Sequence, residues 1–264
     1  MSELLAALLL GILEGLTEFL PISSTGHLLI AQHWLPRQTD FFNIIIQAGA
    51  IIAVTLVFRQ RLWALATGWN DPVQRDYLFK LGTAFLVTAV VGLIVRKLGW
   101  ELPETVTPVA WALIIGGCWM IVAERIAERR GEIATVSWKV AVLVGLAQVV
   151  AGVFPGTSRS AAAIFVAMLA GTSRRASATE FVFLVGIPTM FAASGYTFLE
   201  LAKDGQLGQV DWAAVAVAFL ASAVTGFIVV RWLLGFIKSH RYTGFAVYRI
   251  VLGAALLLFL PSGA

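Results

Sequence analysis

The sequence predicts an all-α polytopic membrane protein, built as an inverted-topology repeat with two re-entrant helical hairpins and about six transmembrane helices. Three observations predict this fold class: the composition, the lengths of the apolar segments, and two polar interruptions at corresponding places in the two halves. Of the 264 residues, 59% are hydrophobic and 13% are charged, whereas a soluble domain carries about 25% charged residues. We therefore expect a single membrane domain over residues 1–264, surrounded by membrane lipids.

Six apolar segments are long enough to cross a hydrocarbon core of about 30 Å, which requires about 20 helical residues. These predicted spans are 41–58, 78–98, 107–123, 178–200, 211–230 and 244–261. Two further apolar regions, 4–35 and 140–170, are interrupted at FLPISSTGH and VFPGTSRS. Backbone that leaves the helix at membrane depth must be covered by protein or line a cavity, so each region is predicted to be a re-entrant hairpin.

The two hairpins align with each other at an offset of 134 residues, which predicts an internal repeat. The alignment pairs Gly11 with Gly145, Glu14 with Gln148, Pro21 with Pro155, Ser23 with Thr157, Ser24 with Ser158 and Thr25 with Arg159. Repeat 1 covers about 1–123 and repeat 2 about 137–261. Three spans separate the hairpins, so the second copy enters from the opposite face, and such repeats place a site at their interface near the midplane.

The distribution of Lys and Arg predicts the orientation. The loops 59–80, 124–139, 171–177 and 231–243 carry thirteen of them and the opposite side carries four; such an excess is typical of cytoplasmic loops. Both termini are therefore predicted to lie on the periplasmic side, although the N-terminus would change sides if residues 2–20 formed a complete span. The net charge of +4 reflects this orientation, and no nucleic-acid partner is expected. The opening residues lack the features of a secretory signal and are expected to be mature sequence.

Two acidic residues of the first hairpin are candidate metal ligands. Glu14 and Glu18 lie four residues apart, hence on one helical face, where like charges repel unless a positive group lies between them. Two carboxylates with hydroxyl groups nearby favour a hard divalent cation, Mg²⁺ or Ca²⁺. The alternative is a short helix whose acids extend to the outer surface. Cys118 is the one cysteine, which excludes a cysteine-based metal site.

Both interruptions also have the features of an anion site. PISST and PGTSR place hydroxyl residues before an apolar helix, where they serve as N-caps, and two helix N-termini that face one cavity would bind an anion. Arg159 adds a planar guanidinium suited to a phosphate; its alternative role is a buried capping or ion-paired arginine. Together these groups indicate a cation-bound phosphate ester or anhydride as the substrate.

Two other polar side chains lie in apolar segments. His27 is three residues after Ser24 and could reach that hydroxyl group as its base, although a lone histidine in a membrane segment is more often structural. Arg249 in FAVYRIVLG is expected to be a structural partner of an intramembrane carboxylate such as Glu180.

The stretches EGLTEFLPISSTGH and PGTSRS closely resemble the two motifs of the undecaprenyl pyrophosphate phosphatases of the bacitracin-resistance type. The resemblance runs along nearly the whole chain and includes FFNIIIQAGAIIAV and GTSRRASATEFVFLVGIP. It implies an inner-membrane phosphatase that hydrolyses the polyprenyl diphosphate lipid, undecaprenyl diphosphate, to the monophosphate carrier of peptidoglycan synthesis. The resemblance further implies an active site that faces the periplasm and depends on a divalent cation. It also implies that the enzyme provides resistance to bacitracin.

The resemblance also implies the site residues. The acidic motif falls on Glu14 and Glu18, which would hold the cation; the catalytic set falls on Glu18, Ser24, His27 and Arg159; and supporting substrate-binding positions fall on Ser23, Thr25, Gln47 and Ser158, with Arg159. Ser24 or a water molecule would attack the terminal phosphorus, with His27 or Glu18 as base. The sequence does not decide between a covalent serine, a covalent histidine and direct attack by water.

The chain departs from the family pattern at Ala161, Ala163, Val182 and Gly186, which predicts a tighter and drier cavity near Arg159. Two other functions remain open: a transporter or flippase of lipid phosphates, since inverted repeats with broken helices are transporter architecture, and an inactive paralogue that binds the lipid diphosphate. The physiological metal, the lipid chain length and the oligomeric state stay open, with a homodimer as one option.

Overall fold

The computed structural model describes residues 2–98 and 105–259, and every regular element within them is helical. A short 3-10 helix, Gln206–Gln209, follows the longest α-helix. The α-helices, in chain order, are α1 Glu3–Thr17, α2 Ser24–Ala31, α3 Asp40–Val57, α4 Arg59–Thr67, α5 Pro72–Lys97, α6 Val106–Glu128, α7 Trp138–Val153, α8 Arg159–Ala170, α9 Arg175–Lys203, α10 Trp212–Phe236 and α11 Thr243–Phe259.

The six predicted spans coincide with α3, α5, α6, α9, α10 and α11. By length and composition α5, α6, α9 and α10 can each cross a membrane, and α3 qualifies together with α4, which follows it after a 68° bend. Helix α11 is a shorter apolar helix, and the end of the predicted span 244–261 lies outside the described residues. The protein is therefore an all-α, multi-pass membrane protein, as predicted.

Each predicted hairpin is a pair of short helices around a break. Helix α1 has 15 residues and α7 has 16, fewer than the about 20 that a full crossing requires. Within each pair the two helices pack against each other. Helix α8 also packs against α6 and α9, and its Ile164, Phe165 and Met168 belong to the main hydrophobic core. The helix that follows the second break is thus largely buried in protein.

The long helices hold the hairpins in two matching arrangements. Helix α1 packs against α10, and α7 packs against α5. A Cβ atom at Gly11 would lie 2.2 Å from the carbonyl oxygen of Ala218, and one at Gly145 would lie 2.7 Å from that of Ala84. In both contacts the absence of a side chain allows two helix backbones to approach closely. The offset of 134 residues relates Gly11 to Gly145 and Ala84 to Ala218. Each repeat therefore supplies the glycine of one contact and the alanine of the other.

The helices α6 and α11 pack together with the same reciprocity. A Cβ at Gly117 would lie 2.7 Å from the carbonyl oxygen of Ala246, and one at Gly253 would lie 2.6 Å from that of Ala110. The division of the chain into repeats of about 1–123 and 137–261 stays a prediction, which these reciprocal contacts favour.

We expect Gly11→Ala to lower the melting temperature of the protein in detergent, because its methyl group would overlap the backbone of α10. Forced overpacking costs about 1–3 kcal/mol, which exceeds the helix-propensity gain of about 1 kcal/mol. Gly92→Ala is the control, since no atom lies within 4 Å of its added Cβ. Thermal unfolding followed by tryptophan fluorescence measures the difference; equal melting temperatures for both variants would contradict the packing described.

Candidate active site

The two hairpin breaks open into one cavity of about 250 Å³. Its polar lining comes from both halves of the chain: Glu18, Ser23, Ser24, Thr25, Gln47, Ser158 and Arg159. The rest of its wall is Ile44, Ala151, Gly152, Pro155, Gly156 and Ala193. The structure therefore brings together all the site residues predicted from the sequence except Glu14 and His27, which do not line this cavity.

A strained serine ends each break. Ser23 has φ 74° and Ser158 has φ 71°, the only positive values among non-glycine residues in the described part of the chain. The hydroxyl oxygen of Ser23 accepts a hydrogen bond from the Gly26 backbone N–H at 3.3 Å, and that of Ser158 accepts one from the Ala161 N–H at 3.2 Å. Both serines thus cap the following helix, and such conformations persist where the surrounding structure holds them, often at functional sites.

The two caps change the register of the sequence alignment by one residue. Ser23 corresponds structurally to Ser158, although the sequence alignment paired Ser158 with Ser24. Consequently Ser24 and Arg159 are equivalent: each is the first residue of its helix, α2 or α8. The hydroxyl group of one hairpin and the guanidinium of the other therefore enter the cavity from matching positions.

Glu18 links these two side chains. Arg159 Nη2 donates hydrogen bonds to Glu18 Oε1 at 2.9 Å and to Gln47 Oε1 at 2.8 Å. The Ser24 hydroxyl group donates to the other carboxylate oxygen, Glu18 Oε2. The Glu18 side chain is only 5% exposed and that of Arg159 is 27% exposed. The buried Glu18 carboxylate thus binds both the Ser24 hydroxyl group and the Arg159 guanidinium, an arrangement that can activate the hydroxyl oxygen as a nucleophile.

Glu14 lies one helical turn before Glu18 and is fully buried. Neither of its carboxylate oxygens has a hydrogen-bond partner among the described residues. A buried carboxylate without a partner is costly, so it requires a proton, a cation or water. Glu14 and Glu18 are oxygen donors suited to a hard cation. The described residues contain no group of three His, Cys, Asp or Glu side chains that could hold a metal, so water and substrate oxygens would complete the ligand set, as is usual for Mg²⁺.

His27 faces a different neighbour from the one expected. Its Nδ1 lies 2.7 Å from the Ser23 carbonyl oxygen, and its Nε2 lies 2.7 Å from the Tyr248 hydroxyl group. A carbonyl oxygen only accepts, so Nδ1 carries the proton and Nε2 of the neutral ring accepts from Tyr248. The two rings also stack, with centroids 5.6 Å apart. Both ring nitrogens of His27 are thereby engaged, while the Ser24 hydroxyl group donates to Glu18.

Arg249 is fully buried, and its guanidinium bonds to the backbone of both breaks. Nη1 donates to the carbonyl oxygens of Pro21 at 3.2 Å and Thr157 at 3.0 Å, and Nη2 donates to that of Gly156 at 3.0 Å. Its remaining donors reach α6: Nε to Leu113 O at 3.4 Å and Nη2 to Ala112 O at 3.0 Å. Breaks in a helix leave carbonyl groups without intrahelical partners at membrane depth, and three of the five hydrogen bonds of this side chain satisfy such groups in both breaks.

The expectation that Arg249 pairs with an intramembrane carboxylate such as Glu180 is therefore wrong. Glu180 instead accepts a hydrogen bond from Arg61 at 2.9 Å. The space for the guanidinium is provided by Gly116, where a Cβ would lie 2.2 Å from Arg249 Nη2. Sequence patterns identify charged partners for a buried arginine, but they carry no signal for unpaired carbonyl groups.

Two of the departures from the family pattern do not reach the cavity. Ala161 and Ala163 are buried in the main core and are absent from the cavity wall, so these positions do not tighten it. Tyr248 was missed by the sequence analysis, because nothing in the sequence relates it to a histidine 221 residues away.

A polar cavity between two broken helix pairs, inside an apolar bundle, defines an integral membrane protein with a hydrophilic site among its membrane helices. The family described as bacitracin resistance protein BacA matches residues 7–255, and the chain belongs to this family. It is 75% identical over 264 residues, all of both chains, to an undecaprenyl-diphosphatase of Stenotrophomonas maltophilia (strain K279a). It is 69% identical, again over all of both chains, to the undecaprenyl-diphosphatase of Xanthomonas axonopodis pv. citri (strain 306).

We expect Arg249→Lys to destabilise the protein strongly. An ammonium group has three donors in place of five, so at least two of the five hydrogen bonds are lost, at about 1–3 kcal/mol each. Arg231→Lys on α10 is the control, since Arg231 is exposed. Melting temperatures in detergent test this prediction, which an unchanged value for Arg249→Lys would refute.

Proposed function

We propose that this chain is a membrane phosphatase that hydrolyses undecaprenyl diphosphate to undecaprenyl phosphate and inorganic phosphate within the cavity. One observation carries the proposal: Ser24 from the first hairpin and Arg159 from the second meet on the carboxylate of Glu18. Full-length identity to proteins named undecaprenyl-diphosphatase supports the choice of substrate. Product formation by this enzyme would recycle the lipid carrier of peptidoglycan synthesis and provide bacitracin resistance.

Ser24 attacks the terminal phosphorus of the lipid diphosphate. Its hydroxyl proton passes to Glu18, the Oγ–P bond forms, and the bridging P–O bond breaks to release the lipid monophosphate. Arg159 turns from Glu18 to the phosphate oxygens, where its planar donors neutralise the charge that phosphoryl transfer must stabilise. While Arg159 turns, its hydrogen bond to Gln47 holds the guanidinium beside the cavity.

The backbone around the caps supplies further donors. Helices α2 and α8 begin at Ser24 and Arg159, so the positive ends of both helices lie beside the cavity. Free N–H groups at a helix N-terminus bind phosphate oxygens. Ser23, Thr25 and Ser158 line the same wall and are proposed to orient the substrate with their hydroxyl groups.

A divalent cation, Mg²⁺ or Ca²⁺, is proposed to bind at Glu14 and Glu18. When bound, it supplies positive charge that offsets the diphosphate oxygens. The unpartnered oxygens of buried Glu14 support this assignment, as does the all-oxygen donor set.

Glu18, rather than His27, is proposed as the base for Ser24. The serine hydroxyl group already donates to Glu18, whereas both nitrogens of His27 are engaged by Ser23 and Tyr248. The same engagement disfavours a covalent phosphohistidine. His27 is then a positioning residue, because its hydrogen bond to the Ser23 carbonyl oxygen stabilises the strained backbone conformation of Ser23.

The inverted repeat is part of the proposal. The reciprocal contacts of Gly11 with Ala218 and of Gly145 with Ala84 support it, as do the two caps with positive φ. The asymmetry of Lys and Arg supports insertion in the inner membrane with both termini and the cavity on the periplasmic side.

We expect purified protein in detergent to release phosphate from undecaprenyl diphosphate with Mg²⁺ or Ca²⁺ and to stop when a chelator is added. Glu18→Gln and Arg159→Ala should each lower kcat about 100-fold or more, because the first removes the base for Ser24 and the second removes positive charge that stabilises the transition state. The matched controls are Glu200→Gln and Arg96→Ala, which break an exposed ion pair elsewhere in the chain.

A transporter is the second candidate, because the reciprocal packing of broken helices is transporter architecture. Ser24→Ala combined with His27→Ala would spare lipid movement and abolish phosphate release. Lipid binding without phosphate release in any condition would refute the phosphatase and favour the transporter or the inactive paralogue.

We expect Tyr248→Phe to lower kcat about fivefold, which corresponds to the roughly 1 kcal/mol of one lost hydrogen bond. The same substitution should have no further effect in a His27→Ala background, and it should leave the pH profile unshifted because the base is Glu18. Tyr196→Phe, outside the cavity, is the control. A Tyr248→Phe variant with a displaced pH profile would assign the base to His27 instead.

A further inference from the structure

A small recess of about 30 Å³ adjoins the cavity. Its wall is Glu18, Phe19, Gln148, Arg159, Ser160, Val182, Phe183, Gly186 and Met190. Glu18 and Arg159 line both spaces, Ser24 lines only the cavity, and Gln148 lines only the recess. The Glu18–Arg159 ion pair therefore separates the hydroxyl group of Ser24 from the carboxamide of Gln148.

Gln148, which lines this recess, has a side-chain donor without a partner in the described part of the chain. Only 6% of the residue is exposed. Its Nε2 has no hydrogen-bond partner among the described residues. A buried donor without a partner costs about 1–3 kcal/mol, so the position of this amide on α7 indicates a ligand that accepts its hydrogen bond.

The recess has the size and polarity for a water molecule. A bound water needs about 10–15 Å³ of such space and two to four polar partners. Gln148 offers a donor and Glu18 offers an acceptor. Ser160 donates its proton to the Leu20 carbonyl group at 3.0 Å and accepts from the Ser158 hydroxyl group at 3.0 Å, so its oxygen keeps one lone pair that can accept from a water. Apart from Arg159 the remaining wall is apolar, and a volume of about 30 Å³ leaves no room for a larger polar ligand.

We propose that Gln148 binds the hydrolytic water in this recess and is a catalytic residue of the second half of the reaction. The inference rests on the proposed function, in which Ser24 becomes phosphorylated and must be released. The water oxygen forms a bond to phosphorus and the P–Oγ bond breaks. Glu18 returns its proton to Ser24 Oγ, takes one from the water and passes it to the departing phosphate, so the products are free serine, the Glu18 carboxylate and inorganic phosphate.

Two of the departures from the family pattern lie at this recess. Val182 and Gly186 both belong to its wall. A Cβ at Gly186 would meet no atom within 4 Å, so a larger side chain there can enter the space of the water without displacing the backbone. The size of the water site is thus set by α9, and it can be changed without touching the Glu18–Arg159 pair.

The test uses Gln148→Met, which keeps the length of the side chain and removes the donor, and Gly186→Val, which fills the recess. The matched controls are Gln60→Met on the exposed surface of α4 and Gly195→Val on α9, where an added Cβ also meets nothing within 4 Å. Purified proteins in detergent are given undecaprenyl diphosphate with Mg²⁺. Steady-state phosphate release and the intact mass of the protein after rapid quenching are measured.

We expect both recess variants to lower kcat about tenfold or more, because a misplaced nucleophile reacts slowly. KM should fall in parallel and kcat/KM should stay unchanged, because only the second half of the reaction is slowed. Both should accumulate one phosphoryl group on Ser24, whereas the two controls should behave like wild type. Normal turnover in Gln148→Met and Gly186→Val would overturn the water site and leave the phosphatase intact, as would a loss of kcat without phosphoserine. If wild type and the Ser24→Ala variant both release phosphate, Ser24 is not phosphorylated during the reaction, and this inference fails with the phosphoserine.

Discussion

The bonds from Arg249 to the hairpin breaks are the constraint on which the site depends. A membrane interior provides no water for the carbonyl groups that a broken helix exposes. One guanidinium donates to Pro21 of the first break, to Gly156 and Thr157 of the second, and to two carbonyl groups of α6. Both breaks are thereby held against the same helix, and their polar residues face one cavity.

Within that frame, Glu18 connects chemistry that the two halves of the chain supply separately. The first hairpin provides the acids and the hydroxyl group, and the second provides the arginine. Arg159 pairs with Glu18, which keeps a buried carboxylate compensated. In the proposed reaction, substrate phosphate competes for the guanidinium and leaves the carboxylate free to accept the proton of Ser24. A single ion pair thus stabilises the site and, in that proposal, prepares it for the reaction.

Much of this arrangement could be predicted from the sequence. The apolar segments locate the helices within a few residues, and the motif residues Glu18, Ser24 and Arg159 do line one cavity. Three features could not be predicted. The partners of Arg249 are backbone carbonyl groups, which have no identity in a sequence. Tyr248 reaches His27 only because α11 packs on α6 beside α2. The one-residue shift between the caps depends on the φ angles of Ser23 and Ser158.

The sequence by itself determined the class of protein, the approximate limits of its apolar helices, and the residue types available for phosphate chemistry. These follow from hydropathy and from local motifs, which depend on neighbours along the chain. Only the tertiary structure decided which donor faces which acceptor: Ser24 faces Glu18, His27 faces Tyr248, and Gln148 faces the recess. These pairings join residues that lie far apart in the sequence or on different helices, and helix packing with close glycine contacts sets the distances on which hydrogen bonds depend.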